Sequence, residues 1–439
     1  MMHRGRGSLI CVWLGMWGLG IARGQEIPSA VGPVVVRGLS VYAMENEQNF
    51  PVVTRDSANA PFRQYLTIQF DVLADDPPLL KIRFWHCTRD WVPDNNVFLQ
   101  DETHNTSFNL SYRTSPNGVR GYAYRYKNRF PDEDDIVRFA YSGNWVFRIM
   151  DNDETFVYGE GKFFVVDNRT PTDVHVTDDY LTDNASPMNQ IHKVEVGIIL
   201  PDEVEGQFYS TVDVYQNWRI DHAYRIDASD RNSYTIVDGY NTGRRRFSVS
   251  NVFPGNEYRK LDLSNVNRYP NRSLVRLVEG ADQERSFWRT GPDRNGAAIL
   301  GRFTGINSDY LEVLFRLDLT QASLRAAMVG GREIFVVGQF NRWQPTVDDM
   351  LVYDEDEMSY VVRKLLRRGV YDYQYVTGFR DARSRTVLDQ DWLVLEGNDW
   401  RTTNTYRAFV YYKDPRYGGF DRLVGYGTAL SGTAPAGSY

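Results

Sequence analysis

Short runs in which apolar and polar residues alternate, each closed by Pro, Gly, Asn or Asp, recur from about Val34 to Asp414. A two-residue period sends successive side chains to opposite faces of an extended strand and cannot be laid on one stripe of a helix. The clearest runs are QYLTIQFDVL (64–73), LLKIRFWHC (79–87), GYAYRYKNRF (121–130), GNWVFRIMDND (143–153), GKFFVVDN (161–168), KVEVGIIL (193–200), FYSTVDVYQNW (208–218) and RRFSVSNVF (245–253). They continue with YLEVLFRLDL (310–319), YVVRKLL (360–366), GVYDYQYVTG (369–378) and TYRAFVYYKD (405–414). Aromatic residues make up 14% of the chain, and in such runs they favour a pleated, half-buried surface. The expected class is mostly β, built as tandem immunoglobulin-like β-sandwich domains. The one helical pattern is QASLRAAMVG at 321–330.

At 439 residues the chain has room for about three domains of roughly 150 residues. Composition shifts place a first sandwich at 25–168, a second at 169–292 after the polar DNRTPTD bridge, and a third at 293–427. The small, polar 428–439 segment reads as a disordered tail. Ahead of these, Arg4 and Arg6 precede an apolar run from Leu9 to Ile21, and Ala22-Arg23-Gly24 supplies small residues before Gln25. This is the pattern of a secretory signal peptide over 1–24, too short to span a bilayer, and no later run is long enough either. Its removal would leave Cys87 as a lone thiol, so the exported domains must rely on hydrophobic cores rather than on a disulfide.

Several function classes lack their signatures. A formal net charge of −7 with no concentrated Lys/Arg face offers no footprint for nucleic acid, and GRRRF at 243–247 reads as a hairpin turn. There is no G-x-S-x-G elbow, H-E-x-x-H pair, phosphate loop or paired Cys. Hence no catalytic residue, metal ligand, cofactor or small-molecule substrate is expected. The acidic runs at 132–135, 151–154 and 354–357 lack the ligand order of a calcium loop and read as solvated turns. His86 and Cys87, adjacent on a strand, face opposite ways and cannot act as base and nucleophile.

Three segments are more specific: WHCTRDWVP (85–93), YQNWRIDHAY (215–224) and VFPGNEYRKLD (252–262). With SGNWVFRIMDND (142–153), DRNGAAI (293–299), GVYDYQYV (369–376) and YKDPRYGGFDRLVGYG (412–427), they resemble, in order, the plug protein family of the bacterial type IX secretion system. The resemblance implies a non-enzymatic periplasmic protein, peripheral to the outer membrane, that binds and occludes the outer-membrane β-barrel translocon. The motif residues it singles out are His86, Asp90, Trp91, Gln216, Asn217, Trp218, Pro254, Gly255, Asn256 and Glu257. Each reads either as a loop-shaping group or as a partner contact. A His86–Asp90 hydrogen bond under Trp91 is the expected local arrangement.

One further stretch, REIFVVGQFNRWQP (332–345), is similar to the G-x-F-N-x-W signature of glycogen- and starch-binding β-sandwich modules, in which an exposed Trp stacks on a sugar. Phe340, Asn341, Trp343 and Gln374 are therefore a candidate glycan site or a domain interface. In those modules a Lys stands on the strand where this chain has Gln374, which weakens the glycan reading. The alternatives to a gate are a carbohydrate-binding periplasmic protein using the third sandwich and an accessory domain of a glycan hydrolase.

Overall fold

A computed structural model describes residues 34–431 apart from 56–63, 102, 133, 135, 182–189, 202–207, 231, 240–242, 278–279, 286–292, 302 and 382. The signal-peptide segment 1–24 and residues 432–439 of the tail lie outside the described residues. The expected class holds: the described residues form six sheets, stacked in pairs as three β-sandwiches.

In the first sandwich, strands Val35–Ala43, Leu66–Leu73, Tyr124–Phe130 and Tyr112–Thr114 face a sheet of Val52–Thr54, Val157–Val166, Gly143–Asp151, Leu80–Cys87 and Thr106–Ser107. The two-residue period does its expected work here: Leu66, Ile68, Phe70 and Val72 meet Leu80, Ile82, Phe84, Trp145, Phe147 and Phe163 in one core. The other face of the Leu66–Leu73 strand is also buried, and Asp71 there accepts from Tyr310 of the third sandwich at 3.0 Å.

The second sandwich corrects the expected boundaries. One sheet orders Thr172–Tyr180, Gln190–Ile199, Arg244–Val252 and Thr235–Asp238, so the basic 244–247 stretch lies within a strand rather than in a turn. The other orders Ala223–Asp227, Thr211–Gln216, Thr405–Asp414 and Phe420–Leu430. Thr405–Asp414, assigned above to the third sandwich, is hydrogen-bonded beside Thr211–Gln216 with Val212 opposite Val410. Its Tyr406, Ala408 and Val410 pack with Val194, Val196, Val212 and Phe247. Thr428, Ala429 and Leu430, assigned to the tail, pair with Arg407, Tyr406 and Thr405.

The third sandwich is therefore an insertion between the Arg244–Val252 and Thr405–Asp414 strands. It starts earlier than 293, since Arg259–Asp262 pairs with Val370–Arg380 and Leu274–Arg276 pairs with Tyr310–Asp318. Its core collects Leu261, Val313, Phe315, Ile334, Val336, Tyr373 and Tyr375. The helical pattern forms Gln321–Ala327, capped by the Thr320 hydroxyl accepting from the Ser323 amide. A period in sequence identifies a strand but not its neighbour, which is why the inserted topology escapes a linear reading.

Candidate functional site

The three sandwiches meet on a hydrophobic core of their own. Tyr42, Phe50, Phe164 and Val166 come from the first, Tyr215, Trp218, Phe409, Tyr411 and Leu423 from the second, and Phe335, Val337, Trp343 and Val376 from the third. Phe164 and Phe409 stack at 4.1 Å between ring centroids, and Trp218 meets Phe50 edge-on at 5.4 Å. Sequence-identified motif residues line or brace this junction.

His86 is fully buried, with its ring edge-on to Trp145 and Phe420. Nε2 is 3.1 Å from the Ser142 carbonyl, which can only accept, so that nitrogen carries the donated proton. Nδ1 faces the Asp94 carboxylate at 2.5 Å. The expected partner, Asp90, is not the one used: the loop turns at Trp91, whose φ is 62°, and brings Asp94 under the ring instead. The tight fit requires glycine at 143, where φ is 151° and a Cβ would lie 2.3 Å from His86 Nε2. Cys87 is buried on the opposite side, its thiol pushed up to about 12 mainly by burial.

Asp90 and its neighbours fasten the first sandwich to the second. Asp90 accepts from Arg225 at 2.6 Å, and the same guanidinium pairs at 3.0 Å with Asp213, which is fully buried. The hydrogen bonds to Asp213, with its charge and that of Asp90, hold Arg225 above the ordinary arginine range. Arg89 reaches Asp227 at 2.7 Å and the Thr211 hydroxyl at 2.6 Å. Burial works to raise Asp227, but its bonds to Ser229, Arg89 and Thr211 hold it well below the usual carboxylate range. Half-buried Trp91 packs edge-on to Phe164 at 5.0 Å, with the Lys162 ammonium 5.1 Å from its ring.

Gln216, Asn217, Trp218 and the Pro254–Glu257 turn form the crossing into the third sandwich. Gln216 donates to the Pro254 carbonyl at 3.0 Å. Asn217, at φ 56°, donates to Asn404 at 2.7 Å and accepts from the Thr405 amide at 2.8 Å. Gly255, at φ 72°, donates to Asn398 at 2.9 Å and accepts from the Thr402 hydroxyl at 3.0 Å. Asn256 donates to the Glu396 carbonyl, and Glu257 accepts from the Thr403 amide. The chain entering the inserted sandwich is thus bonded side by side to the chain leaving it, residues 396–405.

An acidic group lies against this crossing. Burial, against the Thr403 amide and with the Asp293 charge, raises Glu257 to about 7. Asp372 also rises to about 7 through burial and then Asp293, although it accepts from the Arg294 and Gly296 amides. Asp293 is raised by burial.

The glycan-type motif is turned inward. Trp343 is 1% exposed; its Nε1 donates to the Gly296 carbonyl at 2.9 Å and its ring lies 4.4 Å from Tyr258. Phe340 packs on Phe315, and Asn341 closes its own turn onto Val336 and Gly338. Gln374 is buried and accepts from Arg219 at 3.4 Å. No ring face at Trp343 is open to a sugar. The neighbouring Arg342 donates to the Glu160 carbonyl of the first sandwich.

Arg89, Arg225, Asp213, Arg342 and, within the acidic group, Asp293 and Asp372 are not singled out by the sequence; Glu257 is. A hairpin over 211–227 in register would have placed Asp213 opposite Arg225, so that pair had a signal. The contacts between sandwiches had none.

The outer surface carries its own feature. Val92, Val97 and Phe98 in the 88–100 loop and Tyr417 at the Thr405–Asp414 hairpin tip are 55%, 74%, 64% and 43% exposed. Phe98 stacks on Tyr417 at 5.3 Å.

These features define a multi-domain β-sandwich scaffold whose distinctive residues join domains. Residues 36–167, essentially the first sandwich, match the family model described as Type 9 secretion system plug protein 1st domain. The resemblance to the type IX secretion system plug family is thereby shown, carried by this first domain. A crystal structure of a hypothetical protein from Parabacteroides merdae ATCC 43184 is similar over 90% of this chain and 97% of its own, with a TM-score of 0.68 and 18% identity. At that identity the likeness is one of fold. The C-terminal domain of the Streptococcus agalactiae AgI/II polypeptide BspA overlays with a TM-score of 0.12 and 7% identity, too little to bear on the architecture. No curated protein matches the sequence. Among the described residues no helix is long and apolar enough to cross a membrane.

Proposed function

We propose that this type IX secretion-related protein is a periplasmic, non-enzymatic gate that binds and occludes the outer-membrane translocon barrel. The observation that carries the reading is the plug-family match over 36–167. A barrel wide enough to pass folded cargo needs a stopper when idle, and a scaffold joined through a common core has a suitable build. The partner surface we assign is the exposed Phe98–Tyr417 stack with Val92 and Val97 of the same 88–100 loop, since large exposed apolar groups mark interaction sites. The buried motif residues His86, Gln216, Asn217, Trp218, Asn256 and Glu257 then act by shaping the loops and the domain junction.

The test is affinity capture of the tagged protein from detergent-solubilised outer membranes of a type IX-secreting bacterium. Recovery of the translocon barrel by wild type, with loss in a Phe98→Ser/Tyr417→Ser double variant of unchanged melting temperature, is the expected outcome. Capture without the barrel would refute the gate reading, and undiminished capture by the double variant would refute the assigned surface. The carbohydrate-binding alternative through Trp343 is not supported, because that ring is enclosed.

A further inference from the structure

We propose that the cavity between the first and third sandwiches is a binding site for a small neutral polyol, of the size of glycerol or a single sugar ring. Ser40, Tyr42 and Glu47 line it from the first sandwich, and Gln339, Arg367 and Tyr371 from the third. Arg367 is 3% exposed. Its Nη2 donates to the Leu300 carbonyl at 3.3 Å, while its Nε and Nη1 are buried without a protein partner. Glu47 uses one carboxylate oxygen to accept from the Leu300 and Gly301 amides at 2.6 and 2.8 Å. Its other oxygen, the Ser40 hydroxyl and the Gln339 side-chain oxygen are likewise buried and without a protein partner.

The hydrogen-bonding sense of these atoms selects the ligand. Arg367 needs acceptors, Glu47 and Gln339 need donors, and Ser40 takes either. An anion would meet the Glu47 carboxylate and a cation the Arg367 guanidinium. A hydroxyl both donates and accepts, so a neutral molecule carrying several hydroxyls matches the mixed needs of these four side chains. The Tyr42 and Tyr371 rings supply the apolar surface that the carbon skeleton of such a molecule needs. The cavity volume is about 60 Å³, above the roughly 10–15 Å³ that one ordered water needs. Gly38 and Leu365, both exposed, lie at the rim. Gln339 opens the Gln339–Asn341 turn and Phe340 also lines the cavity, whereas the enclosed Trp343 ring does not. Binding here is independent of contact with the translocon.

The experiment is isothermal titration of the full mature chain with glycerol and with glucose, and with glycine and inorganic phosphate as charged controls. Saturable binding of at least one polyol is expected, with Kd raised roughly tenfold or more in Ser40→Val and in Gln339→Leu, both melting as wild type does. Gln339→Leu decides the matter should Ser40→Val not fold. Absence of saturable polyol binding, meaning a cavity for ordered water only, overturns the proposal. So does preferential binding of glycine or phosphate, or polyol binding that neither substitution weakens.

Discussion

Replacing Trp343 by Ala should be among the most destabilising single changes in the chain, and the structure sets its size. The indole is 1% exposed where the three sandwiches meet. A buried Trp removes on the order of 200 Å² of surface from water, which at about 25 cal/mol per Å² is roughly 5 kcal/mol. Losing the Nε1 bond leaves the Gly296 carbonyl without that donor, at a further cost of about 1 kcal/mol. Alanine retains a little apolar contact, and the left-handed backbone at φ 61° burdens both residues alike. The expected loss is therefore about 4–6 kcal/mol, near the upper end for large-to-small core changes. Urea melts followed by tryptophan fluorescence and far-ultraviolet circular dichroism measure it. Because the ring joins domains, the two probes should separate into distinct transitions in the variant. A loss below about 1 kcal/mol would refute the reasoning. Stabilisation of wild type, but not the variant, by maltoheptaose would restore the sugar-platform reading.

Three further outcomes follow from particular contacts. Gly143→Ala drives a Cβ to within 2.3 Å of His86 Nε2 and should cost at least about 2–3 kcal/mol in a urea melt; a neutral result would mean the ring is not held as described. Arg225→Ala leaves fully buried Asp213 without its partner, an expected loss of about 3–5 kcal/mol, largely recovered in the double variant with Asp213→Asn; no recovery would contradict the pairing. Glu257 and Asp372 have folded pKa values near 7, above the usual carboxylate range near 4. The folded state therefore holds protons that the unfolded state has released, and stability should fall as pH rises from about 4 to 7, then level off. Glu257→Gln should flatten that slope in melts across this range while matching wild type near pH 4; an unchanged slope would exclude Glu257 as its source.

Within each sandwich the sequence was readable because burial follows the strand period. Leu66, Ile68, Phe70 and Val72 alternate and all enter the first core. The same rule sends Thr67, Gln69 and Asp71 to solvent, yet all three are buried: Thr67 donates to the Met44 carbonyl of its own sandwich, and Asp71 accepts from Tyr310 of the third, a contact that carries no period. Thr405–Asp414 reads as a strand, but its sandwich is not legible for a related reason: its neighbour Thr211–Gln216 is almost two hundred residues away. His86 was expected to bond Asp90, but positive φ at Trp91 breaks the alternation that would have predicted the loop's path. Trp343 carries the local spelling of a sugar platform; only the placement of Tyr258 and Gly296 around it makes the ring a domain anchor.

The inserted topology bears on how a gate of this kind would work. A sandwich appended by one linker can swing, because few contacts cross the boundary. Here the chain crosses into the third sandwich and back out again, and the two crossings are bonded together through Asn217, Gly255, Asn256 and Glu257. The common aromatic core and the Arg225 and Arg89 bonds fix the first sandwich to the second. Bending between sandwiches would break buried polar bonds and expose aromatic surface together, each costly by itself. Under the gate reading, opening is therefore dissociation of the whole body from the barrel, with the change confined to outer contacts. The exposed cluster suits that role: Phe98 comes from the first sandwich and Tyr417 from the second, so a partner bound there would engage both across a boundary the buried bonds hold fixed.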